Sequence, residues 1–321
     1  MNTQDTLFVR IAQRNRETDD IISLELRDPN GGELPPFEAG AHIDVHVAPG
    51  VVRQYSLCNA PSDRHRYLIG VLRDPASRGG SVAIHERLEA GALVEISAPR
   101  NHFPLKADTR SILIAGGIGV TPMLCMAEAL HASGTRFAVH YCARSEDRAA
   151  FRSRIEQSPY RQQVAFHYDD QGDAQKLDPV MLFAQAGSDD EIYVCGPSGF
   201  IEWVCRAAEQ AGIPKQRVRY EYFSARPVDT SHDSTFDVRI ASTGQVYHIP
   251  ADRSITSVLL EAGVDIYTSC EEGTCGTCVT RLLEGEADHR DVFLTDEEHA
   301  CGNQFTPCCS RAKSSLLVLD L

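Results

Sequence analysis

The chain has 321 residues, of which 42% are hydrophobic and 24% are charged, as in a typical soluble globular protein. This length predicts two or three domains, and no apolar run approaches the roughly 18 residues that cross a bilayer. The net charge of −14 argues against a nucleic-acid partner. Met1–Asp5 lacks the pattern of an export signal, so we expect a cytoplasmic protein without membrane partners.

Most of the negative charge lies near the C-terminus. Residues 229–321 carry a net charge of −10, whereas the preceding part of the chain carries −4. Two interpretations stay open: simple solubility, or a docking face that steers a basic partner protein. The eleven cysteines are concentrated in the same C-terminal region. Without an export signal they favour metal or redox use over a disulfide framework.

Short alternating or β-branched runs, separated by turn residues, fill the segment from Phe8 to Arg100. The clearest runs are Ile21–Leu26, His42–Val47 and Tyr67–Leu72. This spacing predicts an antiparallel β-barrel.

Two elements within the predicted barrel suit a phosphate. On an extended strand Arg53 and Tyr55 share one face beside the backbone of Ser56, so a guanidinium can hold a phosphate while a phenol ring lies on a flat heteroaromatic system. The run Arg78-Gly79-Gly80-Ser81 precedes an amphipathic stretch, where backbone N–H groups at a helix start form an anion site. Surface packing and an ordinary N-capped turn are the alternatives.

From Ser111 onward, continuous apolar strands alternate with helical stretches, which predicts a parallel sheet. The predicted strands are Ile112–Ala115, Phe137–Tyr141, Val164–Tyr168 and Glu191–Val194. Helices are predicted around Met123–His131 and Phe200–Ala211.

Two glycine-containing turns follow strands of this sheet. The run from Gly116 to Pro122 is not the G-x-G-x-x-G fingerprint. It still lets a pyrophosphate approach the backbone closely at the positive end of a helix dipole. The run Cys195–Gly199 forms a second sharp turn at the carboxyl edge, where ligands of open α/β sheets bind. Taken alone, the first turn suits strand–helix packing and Cys195 suits a small core residue.

The composition of Ser224–Ser234 predicts a linker, and smaller elements follow it. They are a hairpin of Phe236–Ile240 with Gln245–Ile249, a short helix Ile255–Ala262 and a closing strand Leu316–Leu319.

The cysteines of this segment have the spacing of an iron–sulfur site. Cys270, Cys275 and Cys278 form C-x4-C-x2-C, and Cys308 follows after a long gap, which is the plant-type pattern for a [2Fe–2S] cluster. Zinc sites usually contain two short cysteine pairs, and only one occurs here. The twelve histidines lack metal-ligand spacing, and we expect His42 and His46 to be ordinary strand residues.

Together these motifs resemble the phthalate dioxygenase reductase and vanillate demethylase reductase family, within the ferredoxin–NADP reductase superfamily. The resemblance runs essentially end to end and includes Pro99–Leu105, Gly285–Asp291 and Ser310–Leu321. It implies a multidomain fold, with an antiparallel FMN-binding β-barrel domain at 1–104 and an NAD(P)H-binding α/β domain with a parallel sheet at 105–226. The implied fold continues with a linker at 227–234. It ends with a plant-type ferredoxin domain at 235–321, which has an α+β, β-grasp fold.

The resemblance also implies roles for individual residues. Contacts to FMN are expected from Arg53, Tyr55, Ser56, Leu72, Gly79, Gly80 and Ser81, with Arg53 and Ser81 on the phosphate. The nicotinamide cofactor is expected at Gly116, Gly117, Thr121, Cys195 and Gly196, and Phe223 is expected against the flavin ring. The implied iron ligands are Cys270, Cys275, Cys278 and Cys308.

The choice of fourth ligand lies within Pro307-Cys308-Cys309-Ser310. The family frame gives Cys308 and places Cys309 at an apolar position. If this run is a strand, the two neighbours face opposite ways and only one can ligate. Cys301 is a weaker candidate because it precedes the strand-like ending.

Arg144 bears on the choice of nicotinamide cofactor. It follows the second strand of the predicted sheet, where it could pair with a 2′-phosphate and favour NADPH, or pack on adenine. The family resemblance favours NADH, and it favours FMN over FAD.

The resemblance implies an NADH-dependent oxidoreductase, and we expect no dedicated acid–base residue. Electrons would pass near Ser56, Cys195 and Phe223 from NADH through FMN and the [2Fe–2S] cluster to a Rieske-type terminal oxygenase of phthalate- or vanillate-type aromatic catabolism. The chain would be a monomer. Two other functions stay open: an electron-carrier ferredoxin on a degenerate reductase scaffold, and a zinc-stabilised binding module without redox activity.

Overall fold

The computed structural model describes residues 6–48, 51–75, 79–106, 108–224 and 229–321. The chain divides into two compact units, Met1–Phe223 and Ser224–Leu321. Each unit has its own cluster of buried apolar side chains. The predicted linker falls partly on residues 225–228, which lie outside the described residues.

The first unit begins with an antiparallel barrel. Its elements are β1 (Thr6–Arg16), β2 (Ile21–Arg27), β3 (Ala41–Ala48), β4 (Val51–Ser56), β5 (Tyr67–Leu72), α1 (Gly80–Arg87), β6 (Leu93–Ser97) and β7 (Arg100–Asn101). The strand order is β4-β3-β6-β1-β2-β5, with β7 on β3, and a bridge between Leu57 and Ile69 brings the two ends of the sheet together. The predicted barrel is confirmed.

The second half of this unit is an α/β sheet. Its strands are β8 (Ser111–Gly116), β9 (Phe137–Ala143), β10 (Val164–Tyr168), β11 (Glu191–Gly196) and β12 (Val218–Tyr222). Its helices are α2 (Val120–Ser133), α3 (Arg152–Glu156), α4 (Pro179–Ala184) and α5 (Ser198–Gln210). The strands are parallel in the order β10-β9-β8-β11-β12. Every residue of β8 and β11 is buried, as expected for strands covered on both faces.

Short 3-10 turns complete the first unit, at Gly117–Gly119, Glu146–Arg148, Arg161–Gln163, Asp169–Gln171, Asp173–Gln175 and Lys215–Arg217. Apolar residues of the barrel and of the parallel sheet belong to one buried cluster. The division of this unit at 104–105 therefore stays a prediction.

The second unit is a small α+β fold. Its elements are β13 (Phe236–Ile240), β14 (Val246–Ile249), α6 (Ile255–Glu261), β15 (Thr280–Glu284), β16 (Ala287–Asp288), α7 (Asp296–Cys301), β17 (Gln304–Phe305), β18 (Arg311–Ala312) and β19 (Leu316–Leu319). The main sheet has the order β14-β13-β19-β15-β17, and β16 pairs with β18. The predicted hairpin, helix and closing strand are confirmed. In the described parts of both units, none of the helices has the length and apolarity of a membrane span.

Candidate functional site

Arg53 lies against Gly80, the first residue of α1. A Cβ atom added to Gly80 would lie 2.5 Å from Arg53 Nε, so a glycine at this position leaves room for the guanidinium. Gly79 adopts a φ of 84° and starts the helix without a side-chain cap among the described residues. The structure thus brings together the two phosphate-compatible elements of the barrel, and a guanidinium over a helix start fits a phosphate group. Arg78 lies outside the described residues.

Three other residues predicted to contact FMN lie close in sequence to Arg53 and Gly80, the pair that we call the phosphate cradle. Ser81 is buried, and its hydroxyl accepts a 3.1 Å hydrogen bond from the Asp74 backbone N–H. Tyr55 is half-buried on β4, and burial raises the pKa of its phenol well above the usual range, so the ring stays neutral. Leu72 ends β5 and packs against the barrel core. A neutral ring beside apolar side chains can lie against a flat heteroaromatic ligand.

The two predicted turns of the parallel sheet contact each other. A Cβ atom added to Gly119 would lie 2.2 Å from the Cys195 backbone oxygen, so only glycine fits here. Gly117 has a φ of +56°, and the buried Thr121 hydroxyl donates to the Ile118 oxygen at 3.1 Å. β8 and β11 lie side by side at the point where the strand order reverses, and ligands of open α/β sheets bind at such a point.

Glu221, which the sequence analysis missed, lies at the same sheet edge. It pairs with Cys195 across β11 and β12, and its carboxylate accepts a 3.3 Å hydrogen bond from the Ser56 hydroxyl. Burial raises the pKa of Glu221 to about 8, although the hydrogen bond from Ser56 opposes this rise. The sequence does contain one indication of Glu221: it is the single acidic residue in the otherwise aromatic run Tyr220-Glu221-Tyr222-Phe223.

The neighbouring groups at this edge differ in exposure. Cys195 is fully buried, and burial followed by the nearby Glu221 charge raises the pKa of its thiol well above the usual value. A raised pKa favours the neutral thiol, which is a weaker nucleophile than the thiolate. Phe223 follows β12 and is 38% exposed. Arg144 is exposed beyond β9, and its backbone oxygen accepts from the Asp170 N–H at 3.2 Å.

Four cysteine thiols converge in the second unit. Cys270, Cys275, Cys278 and Cys308 are all buried. The Cys270 thiol is hydrogen-bonded to those of Cys275 and Cys308, and Cys308 also contacts the Cys278 thiol. Backbone N–H groups donate to two of the sulfurs, from Glu272 to Cys270 and from Thr277 to Cys275, both at 3.4 Å. Four gathered thiols with N–H donors fit a [2Fe–2S] cluster.

Cys308 and Cys309 do not lie on a strand, so the argument from opposite strand faces does not apply to them. Residues 307–309 form a turn, because the Thr306 backbone oxygen accepts from the N–H groups of Cys309 and Ser310 at 3.3 and 3.0 Å. The Cys309 sulfur lies 3.3 Å from Thr306 Oγ1 and borders Gly273, where an added Cβ would be 2.4 Å away. Cys301 is exposed at the end of α7. This geometry is compatible with Cys308 as the fourth ligand, which stays a prediction.

The fold and these two sites define an NADH-dependent oxidoreductase with an iron–sulfur domain. Residues 113–206 match the oxidoreductase NAD-binding domain family, and residues 238–313 match the 2Fe-2S iron-sulfur cluster binding domain family.

Full-length relatives give the particular family. The chain is 54% identical over 303 residues to a vanillate O-demethylase oxidoreductase from a Pseudomonas species, covering 94% of this chain and 96% of the relative. It is 43% identical over 318 residues to phthalate dioxygenase reductase from Burkholderia cepacia, covering 98% and 97%. The chain belongs to this family of reductases, and its cofactors are FMN, NADH and a [2Fe–2S] cluster.

A solved structure agrees with this assignment. The structure of a phthalate dioxygenase reductase, described as modular for electron transfer from pyridine nucleotides to [2Fe–2S], matches with a TM-score of 0.78 and 42% identity. The match covers 98% of both chains, so the similarity includes both compact units.

Proposed function

We propose that this chain is the reductase component of a Rieske-type oxygenase that acts on an aromatic compound of the vanillate or phthalate type. The observation that carries the proposal is the convergence of four buried thiols in a chain that also holds the phosphate cradle and the sheet-edge site. The names of the relatives support an oxygenase partner. We further propose that the chain acts as a monomer in the cytoplasm.

The barrel residues hold the flavin in this proposal. Arg53 and the first N–H groups of α1 bind the FMN phosphate, because a guanidinium and an uncapped helix start both favour an anion. Tyr55 and Leu72 offer apolar surface to the ring system. Phe223 is partly exposed, and we propose that it stacks on the flavin ring when nicotinamide is absent.

The turns of the parallel sheet hold the nicotinamide cofactor. Gly116, Gly117 and Thr121 border the path of its phosphates, and Cys195 with Gly196 lies beside the nicotinamide. The tight contact between Gly119 and the Cys195 backbone fixes the two turns relative to each other. Arg144 packs on the adenine, which agrees with NADH as the cofactor.

The chemistry of electron transfer belongs to the cofactors, and the protein positions them. When bound, FMN accepts a hydride from NADH and delivers electrons singly to the [2Fe–2S] cluster. Ser56 and Glu221 add a hydrogen-bonded pair that can hold or release a proton near pH 8 at the sheet edge. We therefore propose Glu221 as a residue that serves proton chemistry, in addition to the residues that the sequence predicted for this site.

The second unit presents the electrons to the partner. Residues 229–321 of this unit carry a net charge of −10, and we propose that the resulting negative surface steers a basic face of the oxygenase into contact. Such steering weakens as salt shortens the screening length to about 8 Å at physiological ionic strength. Electron delivery to the oxygenase should therefore slow as salt is added.

Reconstitution with purified oxygenase components tests the proposal. The chain, loaded with FMN and iron, is mixed with NADH and the oxygenase component of either vanillate O-demethylase or phthalate dioxygenase, and substrate loss is measured. We expect NADH-dependent turnover with one of them and faster transfer at low salt. Failure with both, while NADH still drives reduction of a small dye, would contradict an oxygenase partner of this type.

A further inference from the structure

Two histidines and an aspartate meet beside the cysteine loop of the second unit. The candidate ligand atoms of His289, Asp291 and His299 all lie within 4.8 Å of one another. His299 Nε2 lies 3.2 Å from both oxygens of Asp291, and His289 Nδ1 lies 3.7 Å from Asp291 Oδ1. None of these three residues was implicated by its spacing in the sequence, and none belongs to the four-thiol set.

The cluster is enclosed, and one of its ring nitrogens lacks a partner. The Asp291 side chain has no exposed surface, and those of His289 and His299 are 13% and 25% exposed. Across the described part of the chain, His289 Nδ1 is buried without a hydrogen-bond partner. Buried polar atoms are normally paired, so an unpaired ring nitrogen directed at a carboxylate and a second imidazole indicates a missing ligand.

The fold holds these three side chains in place. The Leu294 N–H donates to Asp291 Oδ2 at 2.7 Å, which orients the carboxylate. His299 lies on α7, whose start is fixed by a capping box between Thr295 and Glu298. The cluster is therefore supported by hydrogen bonds outside itself, as metal ligands usually are.

We propose that His289, Asp291 and His299 form a binding site for Zn²⁺. Imidazole nitrogens and carboxylate oxygens bind zinc at about 2.0–2.2 Å, so donor atoms around a tetrahedral ion lie roughly 3.3 Å apart. The two separations from Asp291, 3.2 Å and 3.7 Å, lie near this value, and the donor atoms of the two histidines lie within 4.8 Å of each other. Three protein ligands leave a fourth position for water.

The site is coupled to the cysteine loop by direct packing. The Val292 N–H donates to the Gly273 oxygen at 3.0 Å, and a Cβ added to Gly273 would lie 2.8 Å from Asp291 Cβ. A zinc ion would therefore fix the segment against which this loop packs. It would act as a structural brace and carry no electrons, because Zn²⁺ has no redox chemistry.

Zinc titration of the intact holoprotein tests this inference. The protein is treated with a mild chelator, incubated with ZnCl₂ and gel-filtered, and zinc and iron are measured by mass spectrometry alongside visible absorbance. We expect about one zinc per chain with iron and absorbance unchanged. His289→Ala and His299→Ala should weaken zinc binding at least about tenfold, since each removes a ligand. His248→Ala is the matched control, because His248 also faces an aspartate but is exposed.

His299→Gln guards against loss of folding, because it keeps a polar side chain beside Asp291 while removing the imidazole. Zinc loss in this variant, with iron and visible absorbance retained, supports the site. The inference is overturned if the wild type binds no zinc at micromolar concentration, or if all three variants keep wild-type affinity. Zinc uptake that occurs only with loss of iron also overturns it, because the ion would then occupy the thiols.

Discussion

The Ser56 hydroxyl donates a 3.3 Å hydrogen bond to Glu221, which lies 165 positions later in the chain. This contact joins the end of β4 in the barrel to β12 in the parallel sheet. Glu221 is also the ladder partner of Cys195. A titratable carboxyl therefore lies where the barrel and the nucleotide-binding turns meet.

The pH dependence of stability should reveal this carboxyl. Its folded pKa of about 8 lies above the ordinary value of 4.5, so its protonated form favours the folded state. This contribution is complete below pH 4.5 and is lost as the pH rises through about 8. Glu221→Gln cannot ionise and should gain stability relative to the wild type over that range, by about 1.4 kcal/mol per unit of pKa difference at most.

Urea unfolding of both proteins near pH 5 and near pH 9 measures this difference. Glu209→Gln, which changes an exposed carboxyl, is the control. A stability difference between Glu221→Gln and the wild type that does not change with pH would show that Glu221 titrates normally.

Gly80→Ala should weaken FMN binding. The new Cβ would lie 2.5 Å from Arg53 Nε and 2.7 Å from its Cγ, so the guanidinium must leave its place over α1. Losing one charge-assisted contact to the phosphate costs about 1.5–3 kcal/mol, or at least tenfold in affinity. Fluorescence titration of the flavin-free protein with FMN measures the effect.

Gly199→Ala is a matched control, because an added Cβ meets nothing within 4 Å there. It should bind FMN as the wild type does. Equal FMN affinity in Gly80→Ala and Gly199→Ala would remove the argument for a phosphate beneath Arg53.

Asp233→Asn should destabilise the second unit. The Asp233 carboxylate accepts 2.9 and 2.5 Å hydrogen bonds from Arg290, and both side chains are largely buried. The pairing with Arg290 lowers the pKa of Asp233, so its stabilising effect is present above pH 3.8 and declines as the pH falls below that value. Near neutral pH the substitution should cost about 1.5–3 kcal/mol, because it removes the charged acceptor of two Arg290 N–H groups, while Asp288 still accepts from Arg290 Nε at 2.8 Å.

The loss of visible cluster absorbance with increasing urea reports on this unit. Asp265→Asn, which alters an exposed carboxylate, is the control and should unfold as the wild type does. If both variants lost their absorbance at the same urea concentration, the ion pair would contribute little.

Local patterns in the sequence predicted most of the strands. The predicted bounds of Val164–Tyr168, Phe236–Ile240 and Leu316–Leu319 agree with the structure, because continuous or alternating apolar residues determine burial directly. The resemblance placed Arg53 and Ser81 on the same phosphate, and the structure places Arg53 beside Gly80, which precedes Ser81.

The remaining features depend on contacts that are distant in sequence or on local hydrogen bonds. Glu221 reaches Ser56 only through the register of β11 and β12, which no local pattern specifies. The turn at Cys308 forms around the Thr306 carbonyl, and an apolar pattern does not indicate it. His289 and His299 meet because a loop and α7 fold back on each other.

The central claim is that electrons enter through NADH and FMN in the first unit and leave only through the iron–sulfur cluster. Cys308→Ser tests it most directly, with Cys309→Ser as the neighbouring control. Cys308→Ser should lose the visible absorbance of the cluster and the transfer to the oxygenase, yet keep NADH-driven reduction of a small dye, whereas Cys309→Ser should keep all three. The claim is contradicted if Cys308→Ser still reduces the oxygenase without a cluster, or if it loses dye reduction while its flavin and fold remain.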